Sequence, residues 1–203
     1  MKTQILIALA FAATPALADT PKAPDAKKAP DAAKPDAKKP DPKPEAKKAP
    51  TPPTELADAA KAMAGTWKCT GKGAMDPADM TKMTEMKGTM SAKLDLDKWW
   101  IHGDYTATVT GMPGTMKGTM YTTYDAASKK WTRVMMNNMG GFDTATSTGG
   151  TGKVVWEGDM HGMGMTMKSR STEEMSAKEM KISSEMSMDG KKWVASFEMT
   201  CKK

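Results

Sequence analysis

The sequence has little cysteine and histidine, and it has no long hydrophobic run after its first residues. Two cysteines, two histidines and three phenylalanines occur in 203 residues. No later stretch approaches the ~20 consecutive apolar residues that a transmembrane helix needs. The histidines, His102 and His161, form neither an HExxH motif nor a zinc-finger motif, and no dinucleotide fingerprint is present. We therefore expect no membrane insertion, and we favour a protein that is not an enzyme.

The first 18 residues have the pattern of a cleavable signal peptide. Lys2 precedes an apolar run from Ile5 to Ala13, and the small residues Ala16 and Ala18 follow. No cysteine stands near this site to accept a lipid. The pattern predicts an exported, soluble protein, either periplasmic or secreted.

Residues 19–53 repeat proline, lysine, alanine and aspartate, with no aromatic or branched aliphatic residue. Such a composition cannot offset the entropy of folding, so it predicts a disordered, semi-rigid spacer. The spacer holds nine lysines and six acidic residues. An alternative role is a weak contact between these lysines and acidic polymers of the cell envelope.

Residues 54–203 are long enough for one domain with its own core. This region carries 20 basic and 18 acidic residues, so its charge is nearly balanced. A nucleic-acid-binding domain typically has a basic face. We therefore expect no nucleic-acid partner.

Short polar–apolar alternations fill this domain and predict about ten antiparallel strands. Ten strands at regular spacing favour a closed up-and-down barrel, with a sandwich as the structural alternative. "MDGKK" predicts a tight hairpin before the last strand. The predicted strands are Gly65–Gly71, Met86–Asp95, Trp99–Thr110, Thr115–Tyr124, Lys130–Asn137, Phe142–Thr148, Lys153–Gly158, Met165–Ser171, Glu179–Met188 and Lys191–Cys201.

Two short helices complete the predicted fold. "PTELADAAKAMAG" predicts an N-terminal helix capped by Thr54 and ended by Gly65. "MDPADMTKMTEM", with Pro77 at a first helical position and Met80 and Met83 near one another, predicts a lid helix over one barrel end.

Five segments between about Glu55 and Lys203 resemble a known family: "GTWKCTGKG", "DKWWIHGDYT", "GTMYTTYDAASKKW", "TGKVVWEGD" and "DGKKWVASFEMTCKK". They resemble a secreted bacterial family of unknown function with calycin-like, lipocalin-related barrels. The resemblance implies an all-β calycin-like barrel and supplies no catalytic residue. The chain is also similar in outline to haem-binding nitrobindin-like barrels, which ligate iron through a late histidine. The last two predicted strands contain no histidine, so we expect no haem.

Cys69 lies in the first predicted strand and Cys201 in the last. These strands are neighbours in an up-and-down barrel, and an exported protein meets an oxidising compartment. The pattern predicts a Cys69–Cys201 disulfide, with two buried free thiols as the alternative.

Methionine is the most unusual feature of the domain. Twenty-one methionines lie between Met63 and Met199, whereas residues 54–203 hold only ten leucines, isoleucines and valines. Most methionines must therefore fill the core, where a flexible thioether tolerates varied neighbours. We predict that the barrel binds a small hydrophobic molecule. The candidate ligand-binding residues are Met80, Met83, Trp99, Trp131 and Trp193.

"MHGMGMTM" offers two further hypotheses. Thioethers and imidazole suit Cu(I), so Met160, His161, Met163 and Met165 are candidate copper ligands if the nearby glycines fold the backbone tightly. The alternative is an ordinary hydrophobic strand, in which residues on one face stand too far apart to share one ion. Exposed methionines could also serve as a reversible oxidant sink. Apart from Cu(I), no cofactor is expected.

Overall fold

In a computed structural model, the described residues form one helix followed by ten strands. The structure describes residues 49–76, 79–149, 152–162 and 164–203. The predicted signal peptide (1–18) and all but the last residues of the predicted spacer (19–53) lie outside the described residues. The elements are α1 (Thr54–Met63), β1 (Gly65–Ala74), β2 (Met83–Asp95), β3 (Trp100–Val109), β4 (Met116–Asp125), β5 (Lys130–Asn137), β6 (Phe142–Ser147), β7 (Lys153–Gly162), β8 (Met165–Met175), β9 (Glu179–Ser187) and β10 (Val194–Lys202).

The ten strands close into one antiparallel barrel, and each strand pairs with its neighbours in the chain. β1 pairs with both β2 and β10, so the first and last strands complete the ring. Cys69 lies opposite Cys201 in this pairing, and a disulfide joins them. The predicted up-and-down barrel and the predicted disulfide are confirmed, and the sandwich is wrong.

Side chains alternate between the barrel interior and the outer face, as the pleat of a strand requires. In β1, Trp67 and Cys69 are buried, whereas Lys68 and Thr70 are exposed. The same alternation in the sequence is the signal that predicted the strands. Because the ring of strands is closed and leaves no free sheet edge, these alternate residues surround the barrel axis.

Helix α1 covers one end of the barrel. Its buried residues Leu56 and Ala60 pack against Ala92 on β2 and Ile101 on β3. At the end of α1 the backbone carbonyl of Met63 accepts a hydrogen bond of 2.8 Å from the indole N–H of Trp67. The helix is therefore anchored both by apolar packing and by a polar contact to β1. It is too short to cross a membrane, and no other helix occurs among the described residues.

The ends of α1 differ in one respect from the sequence prediction. Pro53 occupies the N-cap and Thr54 is the first helical residue, with no side-chain cap hydrogen bond. The hydroxyl of Thr54 instead donates to the carboxylate of Glu55. Gly65 follows the helix with a φ of +96°, a left-handed conformation that glycine adopts without steric cost, and it begins β1.

Three connections differ from their predicted forms. β7 and β8 extend to Gly162 and Met175, beyond their predicted ends. The β9–β10 connection is longer than a tight hairpin, because the carboxylate of Asp189 accepts hydrogen bonds from the backbone N–H groups of Lys191 and Lys192 and holds a wider turn. The third is the predicted lid helix.

The described part of the lid segment forms a turn where a helix was expected. Met80 lies in this turn and Met83 begins β2, while Pro77 lies outside the described residues. The carboxylate of Asp79 accepts hydrogen bonds from the backbone N–H and the hydroxyl of Thr81. This local bonding competes with helical hydrogen bonds, as is usual for aspartate.

Candidate functional site

A cavity of about 270 Å³ lies inside the barrel. Inward-facing residues of β1 to β10 form most of its wall, and its lining is rich in thioethers. Ten methionines line it: Met63, Met86, Met90, Met116, Met120, Met135, Met160, Met180, Met186 and Met199. The methionines that the sequence assigned to the core thus surround an internal space.

A second cavity of about 530 Å³ lies between α1 and the barrel. Ile101, Trp131 and Trp156 supply part of its apolar wall, and residues of α1 and of several strands complete it. Trp131 packs against Tyr124 with ring centroids 4.8 Å apart. Met63, Met120, Arg133 and Glu173 line both cavities, so these four residues stand between the two spaces.

A buried ion pair forms the polar part of this partition. Arg133 on β5 is 7% exposed, and its Nη1 donates to the carboxylate of Glu173 on β8. Its Nη2 donates to the hydroxyl of Ser171 at 3.2 Å. The guanidinium also lies 4.4 Å from the ring centroid of Trp156, within the range of a cation–π contact. Glu173, Ser171 and Trp156 therefore fix the guanidinium in one position.

Small residues leave the space that this long side chain needs. Arg133 pairs with Ala145 on β6, and Ala145 pairs with Gly158 on β7. A Cβ at Gly158 would lie 1.9 Å from the carbonyl oxygen of Thr144, so no larger residue fits there without a backbone shift. Together Ala145 and Gly158 leave room along the inner wall for the Arg133 side chain.

Asp143 on β6 is the third charged residue of the interior. It lines the first cavity, and its neighbours Phe142 and Thr144 are exposed, so its side chain points inward. Burial raises the pKa of its carboxyl group above the ordinary value of 3.8, the positive charge of Arg133 opposes this rise, and the negative charge of Glu173 adds to it. The interior therefore disfavours the charged form of Asp143.

The electrostatic influence of Asp143 extends to Tyr105 on β3. Burial and then the negative charge of Asp143 raise the pKa of the Tyr105 hydroxyl above its ordinary value of 10.0. The ring of Tyr105 occupies the space beside Gly118, where a Cβ would lie 2.3 Å from the ring. A phenol and a carboxylate thus belong to one internal electrostatic cluster with Arg133 and Glu173.

Five buried side-chain polar atoms of the described residues make no hydrogen bond within the protein. Four are Nε of Arg133, Oδ1 of Asp143, Nε1 of Trp156 and Oγ of Ser196, and the fifth, Oδ1 of Asp159, lies in an ion pair with Lys168. Buried polar groups are normally hydrogen-bonded, because an unpaired one loses its hydration without replacement. The two donors and the carboxylate oxygen of Asp143 are therefore suited to contact a bound molecule or water.

The predicted ligand-binding residues separate into two groups. Trp131 lines the second cavity. Met80, Met83, Trp99 and Trp193 do not line either cavity. Trp193 contacts the guanidinium of Arg170 at 4.5 Å, and Arg170 is paired with Glu185.

Three of the candidate copper ligands, Met160, His161 and Met165, lie on the paired strands β7 and β8, and Met163 is outside the described residues. Met160 pairs with Met167 and lines the first cavity. His161 is its chain neighbour and faces the other way, with its ring stacked on Phe142 at 4.4 Å and its Nδ1 2.9 Å from the Thr166 hydroxyl. The structure does not bring Met160 and His161 to one face, and copper binding stays a prediction.

The inner charges were missed because no motif marks them. Only two arginines occur in the chain. Arg133 is two residues from Trp131 and two from Met135, so all three side chains point to the same face of β5. An arginine at an inward position of a strand is rare without a buried partner. The inward position of Arg133 was therefore the one feature of the sequence that indicated a buried ion pair.

The comparisons with known proteins agree with this architecture. No curated protein matches the chain. Among solved structures, the crystal structure of Rv2717c from M. tuberculosis is similar, with a TM-score of 0.56 and 11% sequence identity. The match covers 73% of this chain and 96% of that protein, and it shows a shared fold. A family model described as a protein of unknown function (DUF1579) matches residues 53–203, and the chain belongs to this family.

Proposed function

We propose that the barrel binds one small, largely apolar molecule in its methionine-lined cavity, without converting it chemically. The observation that supports this proposal is the cavity itself, with ten thioethers on its wall and unpartnered polar atoms on three of its lining residues, Arg133, Asp143 and Ser196. Binding sites for small molecules typically combine an apolar lining with a few polar groups that orient the ligand.

The volume limits the size of the ligand. A cavity of ~150 Å³ is enough to hold benzene, and drug-sized ligands occupy cavities of ~300–1,000 Å³. The space of about 270 Å³ therefore suits a molecule with one or two rings or a short alkyl chain. Methionine side chains can adjust to differently shaped apolar groups, so we expect broad rather than narrow selectivity for the apolar part.

A fluorescent dye tests the proposal. The domain is titrated with 1-aminonaphthalene, a small environment-sensitive dye, and saturable binding to about one site is expected. Ser184→Phe should weaken binding at least about tenfold, because Ser184 lines the cavity and a phenylalanine would fill it. Ser183→Phe is the matched control, since Ser183 lies on the same strand and is exposed on the outer face.

Two results would contradict the proposal. One is the absence of saturable binding by protein whose thermal unfolding shows an intact fold. The other is equal binding by the Ser184 and Ser183 variants, which would place the dye outside the barrel.

A methionine oxidant sink is a second candidate function, and the exposed methionines favour it. Met112, Met136, Met139 and Met188 are each at least 36% exposed. Exposed thioethers can be oxidised to sulfoxides without unfolding, and reductases reverse the reaction. This role uses the outer surface, so it is compatible with ligand binding inside the barrel.

A further inference from the structure

The charged groups of the interior do not balance. Among the described residues, three charged side chains belong to the cavity's internal cluster: Arg133, Glu173 and Asp143. Asp104 and Glu185 also line the cavity, but their side chains are 61% and 44% exposed, so water screens their charges. With Arg133 paired to Glu173, an ionised Asp143 leaves the interior with one negative charge in excess.

Arg133 does not neutralise Asp143 by a direct bond. Its two terminal nitrogens donate to Glu173 and Ser171. Its Nε and the Oδ1 of Asp143 each lack a protein partner, so these two groups do not bond to each other. Asp143 therefore presents an acceptor oxygen to the cavity that a hydrogen-bond donor could use.

We propose that the cavity prefers apolar molecules carrying a protonated amine, which Asp143 binds by charge and by hydrogen bond. This inference rests on the proposed ligand-binding function and names its ligand class. A cationic nitrogen supplies the missing positive charge and donates to Oδ1 of Asp143, and such charge-assisted hydrogen bonds are stronger than neutral ones. The thioethers and the ring of Tyr105 surround the alkyl or aryl part.

The same charges disfavour a carboxylate ligand. A ligand anion would meet Asp143 and Glu173 in a low-dielectric space, where repulsion between like charges is strong. It would also compete with Glu173 and Ser171 for the guanidinium of Arg133. Burial and neighbouring negative charge raise the pKa values of both Asp143 and Tyr105, which agrees with an interior that resists added negative charge.

A matched set of probes tests this preference. n-Octylamine, 1-octanol and octanoate have carbon chains of the same length and differ in their polar group. Each is titrated as a competitor against bound 1-aminonaphthalene at neutral pH. We expect half-displacement by octylamine at a concentration at least about tenfold lower than by octanol, with octanoate the weakest. A tenfold ratio corresponds to about 1.4 kcal/mol.

Removing the charge of Asp143 tests whether this residue causes the preference for amines. Asp143→Asn should bring octylamine and octanol to equal affinity, and Asp143→Ser serves if the first variant does not fold. Asp159→Asn is the control, because Asp159 lies on the outer face and pairs with Lys168 at 2.7 Å. This control should retain the preference of the parent.

The outcomes separate the two proposals. Octanoate binding as tightly as octylamine, or an amine preference that survives in folded Asp143→Asn, would overturn the amine inference and leave ligand binding intact. No saturable dye binding and no binding of the three probes would contradict the proposed function itself. Octanol and octylamine of equal affinity in the parent would also overturn the inference.

Discussion

Cys69 on β1 lies directly opposite Cys201 on β10, and the disulfide between them joins the first strand of the barrel to the last. Both residues are buried, next to Trp67 and Met180. The bond spans a sequence separation of 132 residues. It therefore constrains nearly the whole barrel in the unfolded state.

The double substitution of Cys69 and Cys201 by serine should lower the stability of the domain. The chain-entropy model gives a loss of ~4–5 kcal/mol for so long a loop, although part of the effect depends on the enthalpy of the unfolded chain. The free energy of unfolding is measured by urea titration of the parent and the variant. A midpoint that does not change between them would contradict the structural role of the bond.

The sequence predicted the strands because alternation is a local property. β2 contains its whole predicted range, Met86–Asp95, and over that range apolar or small residues alternate with polar ones. The disulfide followed from the order of the strands, because a closed up-and-down barrel makes the first and last strands neighbours. Local pattern and strand order were enough for both features.

The internal charges depend on contacts that the sequence does not encode locally. Arg133 on β5 reaches Glu173 on β8, three strands away around the barrel. Such a contact requires the curvature of the ring and the small residues Ala145 and Gly158 between the two ends. The copper hypothesis relied on glycines at 158, 162 and 164 to fold the backbone tightly, but Gly158 and Gly162 lie within β7 and only Gly164 lies in a turn.

Gly158→Ala should destabilise the barrel by about 2 kcal/mol, the usual range for overpacking. The new Cβ would lie 1.9 Å from the carbonyl oxygen of Thr144 and 2.7 Å from Cα of Ala145, and both atoms belong to the backbone. Gly162→Ala on the same strand is the control, because its Cβ would meet Gly141 at an ordinary 3.6 Å. Thermal unfolding compares the two variants. Equal melting temperatures would show that the strand shifts at no cost.

Asp143→Asn should raise the free energy of unfolding at neutral pH, by an amount on the order of 1 kcal/mol. Because burial raises the pKa of Asp143, the folded state holds this proton to higher pH than the unfolded state. The parent therefore loses stability relative to the variant as the pH rises from 3.8 through the raised pKa. Below 3.8 the carboxyl is protonated in both states and the difference should vanish.

Urea titrations at several pH values measure this difference between parent and variant. Asp79, Asp125 and Asp189 have lowered pKa values, because side chains and backbone N–H groups of their own turns donate hydrogen bonds to them. These three carboxylates stabilise the folded state at higher pH, and that stabilisation is lost as the pH falls. It is equal in the parent and in Asp143→Asn, so it cancels in the difference between their free energies of unfolding. A difference that grows toward low pH would contradict the assignment to Asp143.

Copper binding, if it occurs, should depend on the inner thioethers of the β7–β8 hairpin more than on His161. Met160 lines the cavity, whereas the imidazole is stacked on Phe142 at the outer face. Competition with a colorimetric Cu(I) chelator under reducing conditions compares Met160→Leu with His161→Ala. A larger loss of affinity in the histidine variant would support the ligand set expected from the sequence. A His161→Ala, Met163→Leu variant that keeps the affinity of the parent would place any copper site elsewhere.

Mild oxidation should distinguish the exposed methionines from the inner ones. Met188 is 66% exposed and Met139 is 46% exposed, and both lie at turns on the barrel end opposite α1, whereas Met86 and Met180 are each 2% exposed. A peroxide must reach the sulfur, so the exposed thioethers should form sulfoxides while the fold is intact. Peptide mass spectrometry after dilute hydrogen peroxide gives the order of reaction, and a sample unfolded in guanidinium should show all sites reacting. Oxidation of Met180 at the rate of Met188 in folded protein would mean that the barrel opens readily, and it would remove the structural basis for a surface oxidant sink.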